Sequence, residues 1–215
     1  MNKKLEKIVI ATGGTGGHVF PAYSLAKHFI NNKIHVQIIS DKRGLRYLKE
    51  YQDIKITEIS TSTILKKNIF KLVFSILVIF YSILRSFIFL LTNRPNLIFG
   101  MGGYSSFPIC IAAKILRIPF IIYENNLYMG KANKYLLPLA KKIFVSNKEV
   151  EGISKKYSEK VFEIGNIIRK EILDFQVNFN SIEKNEKLKI LILGGSQAAK
   201  IFAIKLTEIF KKCHE

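Results

Sequence analysis

Short apolar, β-branched runs alternate along this chain with stretches of helical periodicity. Residues 7–12 (Lys-Ile-Val-Ile-Ala-Thr) read as a strand, and 18–31 as a helix with Ala22, Leu25, Ala26 and Phe29 on one face. Residues 34–40 read as a second strand, 44–51 as a short helix and 54–59 as a third strand. Further strands are expected at 96–100, 120–123, 142–145 and 160–164, with helices at 105–116 and 130–140. This alternation predicts an α/β fold, a doubly wound parallel sheet of Rossmann-like type. Ligands on such sheets sit beyond the carboxyl ends of the strands.

The rhythm breaks twice. Residues 165–186 are polar and irregular, with Asn178, Asn180, Ser181 and Asn185, and read as a linker. After it the strand–glycine pattern restarts at 188–197 (Leu-Lys-Ile-Leu-Ile-Leu-Gly-Gly-Ser-Gln), followed by a helix to Lys212. One strand and one helix cannot bury a core, so the expected organisation is a Rossmann-like domain at 1–164, a linker at 165–186 and only the start of a second such domain at 187–215. On this reading the sequence is truncated.

The second break is 69–91, mostly apolar and charged only at Lys71 and Arg85, which leave an uncharged run of thirteen residues from Leu72 to Leu84. A spanning helix needs about 20 apolar residues. A buried crossover helix is the first expectation, a helix lying against a membrane surface the second, and a true span the third. Lys66, Lys67, Lys71 and Arg85 make anionic lipid a candidate contact.

Charge narrows the partners. Thirty-four Lys and Arg against sixteen Asp and Glu give +18, which suits nucleic acid, anionic lipid or phosphorylated substrates, or reflects a Lys-rich proteome. No zinc spacing, helix-turn-helix turn or aromatic RNA-binding pattern occurs, which argues against nucleic acid. Cys110 and Cys213 stand far apart in no metal or redox spacing, as suits a reducing cytoplasm. The basic start, 1–7, runs into a strand instead of a signal-peptide apolar region.

Candidate chemistry concentrates in glycine turns. Gly13-Gly14-Thr15-Gly16-Gly17-His18 connects the first strand to the first helix. Glycine permits a tight turn and close approach to a ligand, and the helix start offers N–H groups to an anion. No Gly-Lys-Ser/Thr follows, and Val19 stands where a dinucleotide fingerprint needs its third glycine, although Asp41 could still grip a ribose. Gly100-Met101-Gly102-Gly103-Tyr104 forms a second such turn, and two together match what a pyrophosphate needs. Tyr123-Glu124-Asn125-Asn126, with Asn133, could orient sugar hydroxyls or a catalytic group, or simply cap a helix. His18 reads as a general base, an anion-binding imidazolium or a structural cap. His28 and His35 read as surface or packing residues, and His214 is terminal.

Taken together, Gly-Gly-Thr-Gly-Gly-His-Val-Phe-Pro at 13–21, Gly-Met-Gly-Gly-Tyr at 100–104, Glu-Asn-Asn at 124–126, Gly-Asn-Ile-Ile-Arg at 165–169 and Gly-Gly-Ser-Gln at 194–197 resemble the MurG family over essentially the whole chain. The first motif is highly specific and the others moderately so. The resemblance implies a GT-B fold and an inverting transfer of N-acetylglucosamine from UDP-GlcNAc to lipid I, giving lipid II, at the cytoplasmic face of the bacterial membrane. It implies His18 as the base, with Glu124 and Tyr104 as supporting catalytic groups. Thr15, Gly16, Gly17, Asn126, Arg169 and Ser196 match the family's UDP-GlcNAc positions, and Gly13, Gly14, Gly102 and Gly103 would face the acceptor's diphosphate. No cofactor and no metal are implied, and no Asp-x-Asp cluster occurs.

Three positions depart from that pattern. Ile167 stands where proline is usual, which predicts a less rigid linker. Ala198 replaces a glycine, and Tyr123 stands where histidine is common. With most of the donor domain absent, weak UDP-sugar binding and little turnover are expected of the chain alone. The alternatives are a non-catalytic membrane-docking half that works with a separate chain carrying the donor domain, and a GT-B enzyme for another lipid-linked acceptor.

Overall fold

The structure, a computed structural model, describes residues 5–51, 53–59, 69–174 and 199–212. Seven strands form one parallel sheet: β1 (Lys7–Thr12), β2 (His35–Ser40), β3 (Lys55–Glu58), β4 (Leu97–Gly100), β5 (Phe120–Glu124), β6 (Lys142–Val145) and β7 (Val161–Glu163). They lie in the order β3-β2-β1-β4-β5-β6-β7. The helices α1 (Gly16–Asn31), α2 (Lys42–Leu48), α3 (Ile69–Asn93), α4 (Ser106–Ile115), α5 (Lys131–Leu136) and α6 (Lys170–Leu173) complete the unit Met1–Asp174. This is the doubly wound α/β fold that the alternation predicts.

β1 shows why the sheet needs helices on both faces. Ile8 and Ile10 point into one core with Val19, Ala22 and Ala26 of α1, while Val9 and Ala11 point into the other with Ile109, Ala112 and Ala113 of α4. All four strand residues are fully buried, as expected for a central parallel strand. Strand order reverses between β1 and β4, which pair in register from Ile8↔Leu97 to Ala11↔Gly100. Met101 N–H donates to the Ala11 carbonyl at 2.8 Å, carrying the pairing one residue past β4. The turns after these two strands therefore start level and side by side, at the switch point where such sheets bind ligands.

Helix α3 corrects the first expectation for 69–91. It is not a buried crossover: Ile69, Phe70, Phe74, Leu77, Phe80, Tyr81, Leu84 and Ile88 are all exposed, Phe70 by 81%. The buried positions are Ser75, Ser82, Ser86 and Leu90. Each serine hydroxyl donates at 2.7 Å to the carbonyl four residues earlier, on Lys71, Val78 and Ser82 respectively. This back-bonding satisfies a buried hydroxyl without help from another helix. Small serines let α3 lie against α4. Twenty-five residues make α3 about 37 Å long, against about 15 Å for α4, so α4 can lie against only part of its length. Among the described residues it is the one helix long and apolar enough to cross a membrane, judged by length and composition.

The second compact unit, Phe175–Glu215, contributes one described element, α7 (Ala199–Lys212), with a Lys205–Glu208 ion pair. The expected strand at 188–193 and the turn carrying Ser196 lie outside the described residues.

Candidate functional site

The first glycine turn is braced from below by Asp41, at the end of β2. One carboxylate oxygen, Oδ1, accepts from Gly14 N–H at 2.9 Å and from Gly44 N–H at 2.8 Å, capping α2. The other, Oδ2, accepts from Arg43 at 3.1 and 3.2 Å. With 4% exposure and these four donors, Asp41 has no face left for a ribose; it holds the turn. Gly13 cannot be replaced by a larger residue here, since a Cβ would collide with Ser105 Oγ and the Asp41 carboxylate.

Above the turn, α1 opens with Gly16, Gly17 and His18. The N–H groups of Gly16 and Gly17 fall before the first intrahelical acceptor, whereas His18 N–H already bonds the Thr15 carbonyl at 3.1 Å, and no acidic side chain sits in this turn. Pro21, one turn further on, lacks the N–H that would bond the Gly17 carbonyl. Asn125, just beyond β5, takes that vacant acceptor: its Nδ2 donates to Gly17 O at 2.8 Å. The proline thus creates the anchorage by which the β5 turn grips the first glycine loop.

His18 reaches the second turn. Gly102 and Gly103 both have positive φ, +86° and +75°, and a Cβ at Gly102 would lie 3.0 Å from His18 Cε1. A Cβ at Gly103 would lie 3.2 Å from the Gly13 carbonyl, so only glycines let the two loops close around the imidazole. Burial pulls the His18 pKa below its ordinary 6.5; the negative charge of Glu124 and the adjacent Met101 backbone oppose this less strongly. Nδ1 is buried with no hydrogen-bond partner among the described residues. A neutral imidazole between two N–H-rich turns can accept a proton beside a bound anion.

Glu124, at the end of β5, is 1% exposed. Its Oε1 accepts from Asn126 N–H at 3.1 Å and Asn126 Nδ2 at 2.7 Å. Its Oε2 accepts from Gly130 N–H at 2.8 Å and Asn133 Nδ2 at 3.0 Å. Four donors explain how a carboxylate stays buried without a cation. They also fix the 124–133 turn and aim a fixed negative charge toward His18.

The fold therefore gathers Gly13, Gly14, Gly102, Gly103 and His18 at one point, with Glu124 and Asn126 one strand away. Thr15 precedes α1 in extended conformation without capping it through its side chain. Tyr104 is half-buried in the second turn. Arg169, far along the chain, returns to this edge, its guanidinium 4.4 Å from the Phe20 ring centre of α1. Ser196 lies outside the described residues. His28 and His35 lie away from the site, in α1 and at the start of β2. Sequence reading misses the bracing work of Asp41 and Asn125. The one available signal is Pro21, which tells that Gly17 needs an outside donor but not which residue supplies it.

A groove of about 780 Å³ lies at the opposite, amino edge of the sheet, lined by Arg94, Arg117, Lys141 and Lys142 among others, and shares no residue with the glycine turns. Among the described residues no cluster of three or more His, Cys, Asp or Glu could hold a metal ion. Cys110 is buried under Gly100, and burial pushes its thiol pKa far up, leaving it inert.

Comparison with known proteins agrees with the fold. Residues 8–145 match the glycosyltransferase family 28 N-terminal domain. The UDP-N-acetylglucosamine–N-acetylmuramyl-(pentapeptide) pyrophosphoryl-undecaprenol N-acetylglucosamine transferase of Pelagibacter ubique is 34% identical over 206 residues, covering 94% of this chain and 54% of that protein. The enzyme of the same name from Rickettsia canadensis is 36% identical over 202 residues, covering 93% and 54%. The crystal structure of Acinetobacter baumannii MurG superposes with a TM-score of 0.68 at 26% identity, covering 94% of this chain and 53% of that one. The chain spans about half the length of these relatives. On the match across 8–145, the chain belongs to glycosyltransferase family 28, whose N-terminal domain it carries.

Proposed function

We propose that this chain is the acceptor-binding half of a transferase that moves N-acetylglucosamine from UDP-GlcNAc to the 4-hydroxyl of lipid I, giving lipid II. One observation carries the reading: His18 is clasped between the two glycine turns at the switch point of the sheet. The turns at Gly13, Gly14, Gly102 and Gly103 line the place of the acceptor's diphosphate and offer it backbone N–H groups other than that of Gly14, which Asp41 holds. His18 sits where it can take the proton of the nearby sugar hydroxyl, and its lowered pKa keeps it unprotonated for that task near pH 7. The hydroxyl oxygen attacks the anomeric carbon, the bond from that carbon to the β-phosphate oxygen breaks, and UDP departs with the electron pair. Arg169 is the cation that would offset the charge gathering on UDP, with Thr15, Gly16, Gly17 and Asn126 as further UDP-GlcNAc contacts; Ser196, the remaining candidate, lies outside the described residues. Glu124 and Tyr104 support the imidazole, Glu124 through its charge.

The same reading places the chain at the cytoplasmic face of the membrane. The exposed Phe, Leu and Ile face of α3 supplies the apolar contact, and Lys71, Arg85 and Arg94 supply attraction for anionic lipid. A water-soluble, short-prenyl analogue of lipid I tests the core of the proposal. Titrated into isotopically labelled protein, it is expected to shift the amides of Gly14, Gly102 and Gly103 and the His18 ring. Shifts confined to another edge of the sheet overturn the reading. In a preparation competent for turnover, His18→Ala is expected to lower kcat by roughly 10²–10⁴-fold.

A further inference from the structure

We propose that Tyr123 is a positioning residue whose phenol pins the 165–167 strap to the carboxyl edge of the sheet and thereby sets Arg169 over Phe20. Tyr123 lies at the penultimate position of β5 and is 2% exposed. Its hydroxyl donates to the Gly165 carbonyl at 3.1 Å and accepts from the Ile167 N–H at 3.3 Å. One oxygen thus closes a ring across two residues of a segment more than forty positions away.

The geometry around the strap is specific. Gly165 turns with φ +77°, directing the chain back over the sheet. Ile167 packs against the core shared by α1, β1 and β5. Two residues on, the Arg169 guanidinium stacks on Phe20, whose ring also lies against Gly16 at the start of α1. Arg169 therefore reaches the first glycine turn only because the strap is held, and the described hydrogen bonds holding 165–167 run to Tyr123. Ile167 bears on the expectation of a looser linker: it has an N–H, which proline lacks, and that N–H is the second half of the latch. A proline at 167 would leave Tyr123 with one bond instead of two. Burial raises the Tyr123 pKa, so the phenol keeps the proton it donates to Gly165 throughout the neutral range.

This rests on the reading of Arg169 as the cation for the UDP diphosphate, and the experiment separates the two. In the full 215-residue chain, Tyr123→Phe removes one oxygen and keeps the ring that fills the core. Ile167→Pro removes the N–H and trades the isoleucine's packing on the core for a smaller ring, but keeps Tyr123 and every other β5 side chain, which guards against a folding failure in the first variant. The readouts are hydrogen exchange at the Ile167 amide in wild type and Tyr123→Phe, the ring-current-shifted side-chain resonance of Arg169 in every protein, and the Kd for UDP. Tyr123→Phe is expected to speed exchange at Ile167 at least tenfold and to return the Arg169 signal toward its free position. Ile167→Pro is expected to move Arg169 part of the way, and the double variant no further than Tyr123→Phe alone. UDP binding is expected to weaken several-fold in step with the loss of the Arg169 signal. Unchanged Ile167 exchange and an unchanged Arg169 signal in Tyr123→Phe overturn the latch. If both change while the Kd for UDP holds, and Arg169→Ala also leaves it unchanged, the latch stands and the role given to Arg169 falls.

Discussion

Two regions of this molecule turn the usual inside-out rule around, in opposite senses. At the carboxyl edge of the sheet, carboxylates and amides are buried: Asp41, Glu124 and Asn133 are all under 5% exposed. On α3, Phe70, Phe74, Leu77 and Phe80 face outward at 60% exposure or more, while serines face inward. For the two carboxylates the first inversion is closed within the chain, because four donors reach each; Asn133 Oδ1 and His18 Nδ1 stay buried without a hydrogen-bond partner among the described residues. On α3 the side chains of Phe74, Leu77 and Phe80 stay largely solvent-exposed. Carboxylates buried with their partners read as construction of a site, whereas exposed apolar surface of this extent reads as a surface for something beyond the described residues.

The largest expected effect tests the open region. Replacing Phe74, Leu77 and Phe80 together with Glu removes side chains worth about 1.5–3 kcal/mol each when fully buried in an apolar phase. Partition to anionic vesicles in a co-sedimentation assay is expected to fall by a factor on the order of 10³, with folding stability in urea changed by less than about 0.5 kcal/mol. A large loss of stability with vesicle binding intact would break the comparison, since the outer face would then be holding the fold together.

The closed region predicts the reverse pattern. Glu124→Ala strands four donors around a buried gap, and a destabilisation of about 3–5 kcal/mol is expected in urea unfolding, with no change in vesicle partition. Asn125→Ala removes the single bond to the Gly17 carbonyl that Pro21 leaves open, and is expected to cost about 1–2 kcal/mol. Combining it with Pro21→Ala, which restores an N–H for that carbonyl, is expected to recover part of the loss. Additive effects in the double variant would show that the two residues serve different ends.

The same contrast explains what the sequence discloses. β1 and β6 are found at their observed limits, because β-branched runs between glycine or polar breaks leave little choice of strand. Helix α1 starts at Gly16, two residues before the periodicity predicts, because Gly16 and Gly17 contribute no apolar side chain to the pattern yet adopt the helix. The glycine turns and His18 are readable, since the spacing from strand to turn to helix is local. The duties of Asp41, Asn125 and Tyr123 are not, because each is decided by a partner 27, 108 or 42 positions away. For α3 the apolar stripe is visible, but periodicity cannot tell which stripe turns inward; the serines at 75, 82 and 86 win that face because their hydroxyls can bond their own helix.

The smallest expected effect concerns His18. The folded His18 pKa lies below the 6.5 of an exposed histidine, with burial the main cause. The unfolded chain therefore binds the proton more readily than the folded one. Stability contributed through this difference is fully present above pH 6.5 and is lost as the pH falls through 6.5 toward the folded value. His18→Gln removes the difference, so the gap in unfolding free energy between wild type and variant is expected to shift against the wild type as the pH drops from 7.5 to 5.5. Urea unfolding at a series of pH values measures it directly, and His28 and His35 cancel because both proteins keep them. A gap that stays constant or moves the other way would mean the ring is solvated or held as an imidazolium, and the proposal that His18 acts as a neutral base would fall.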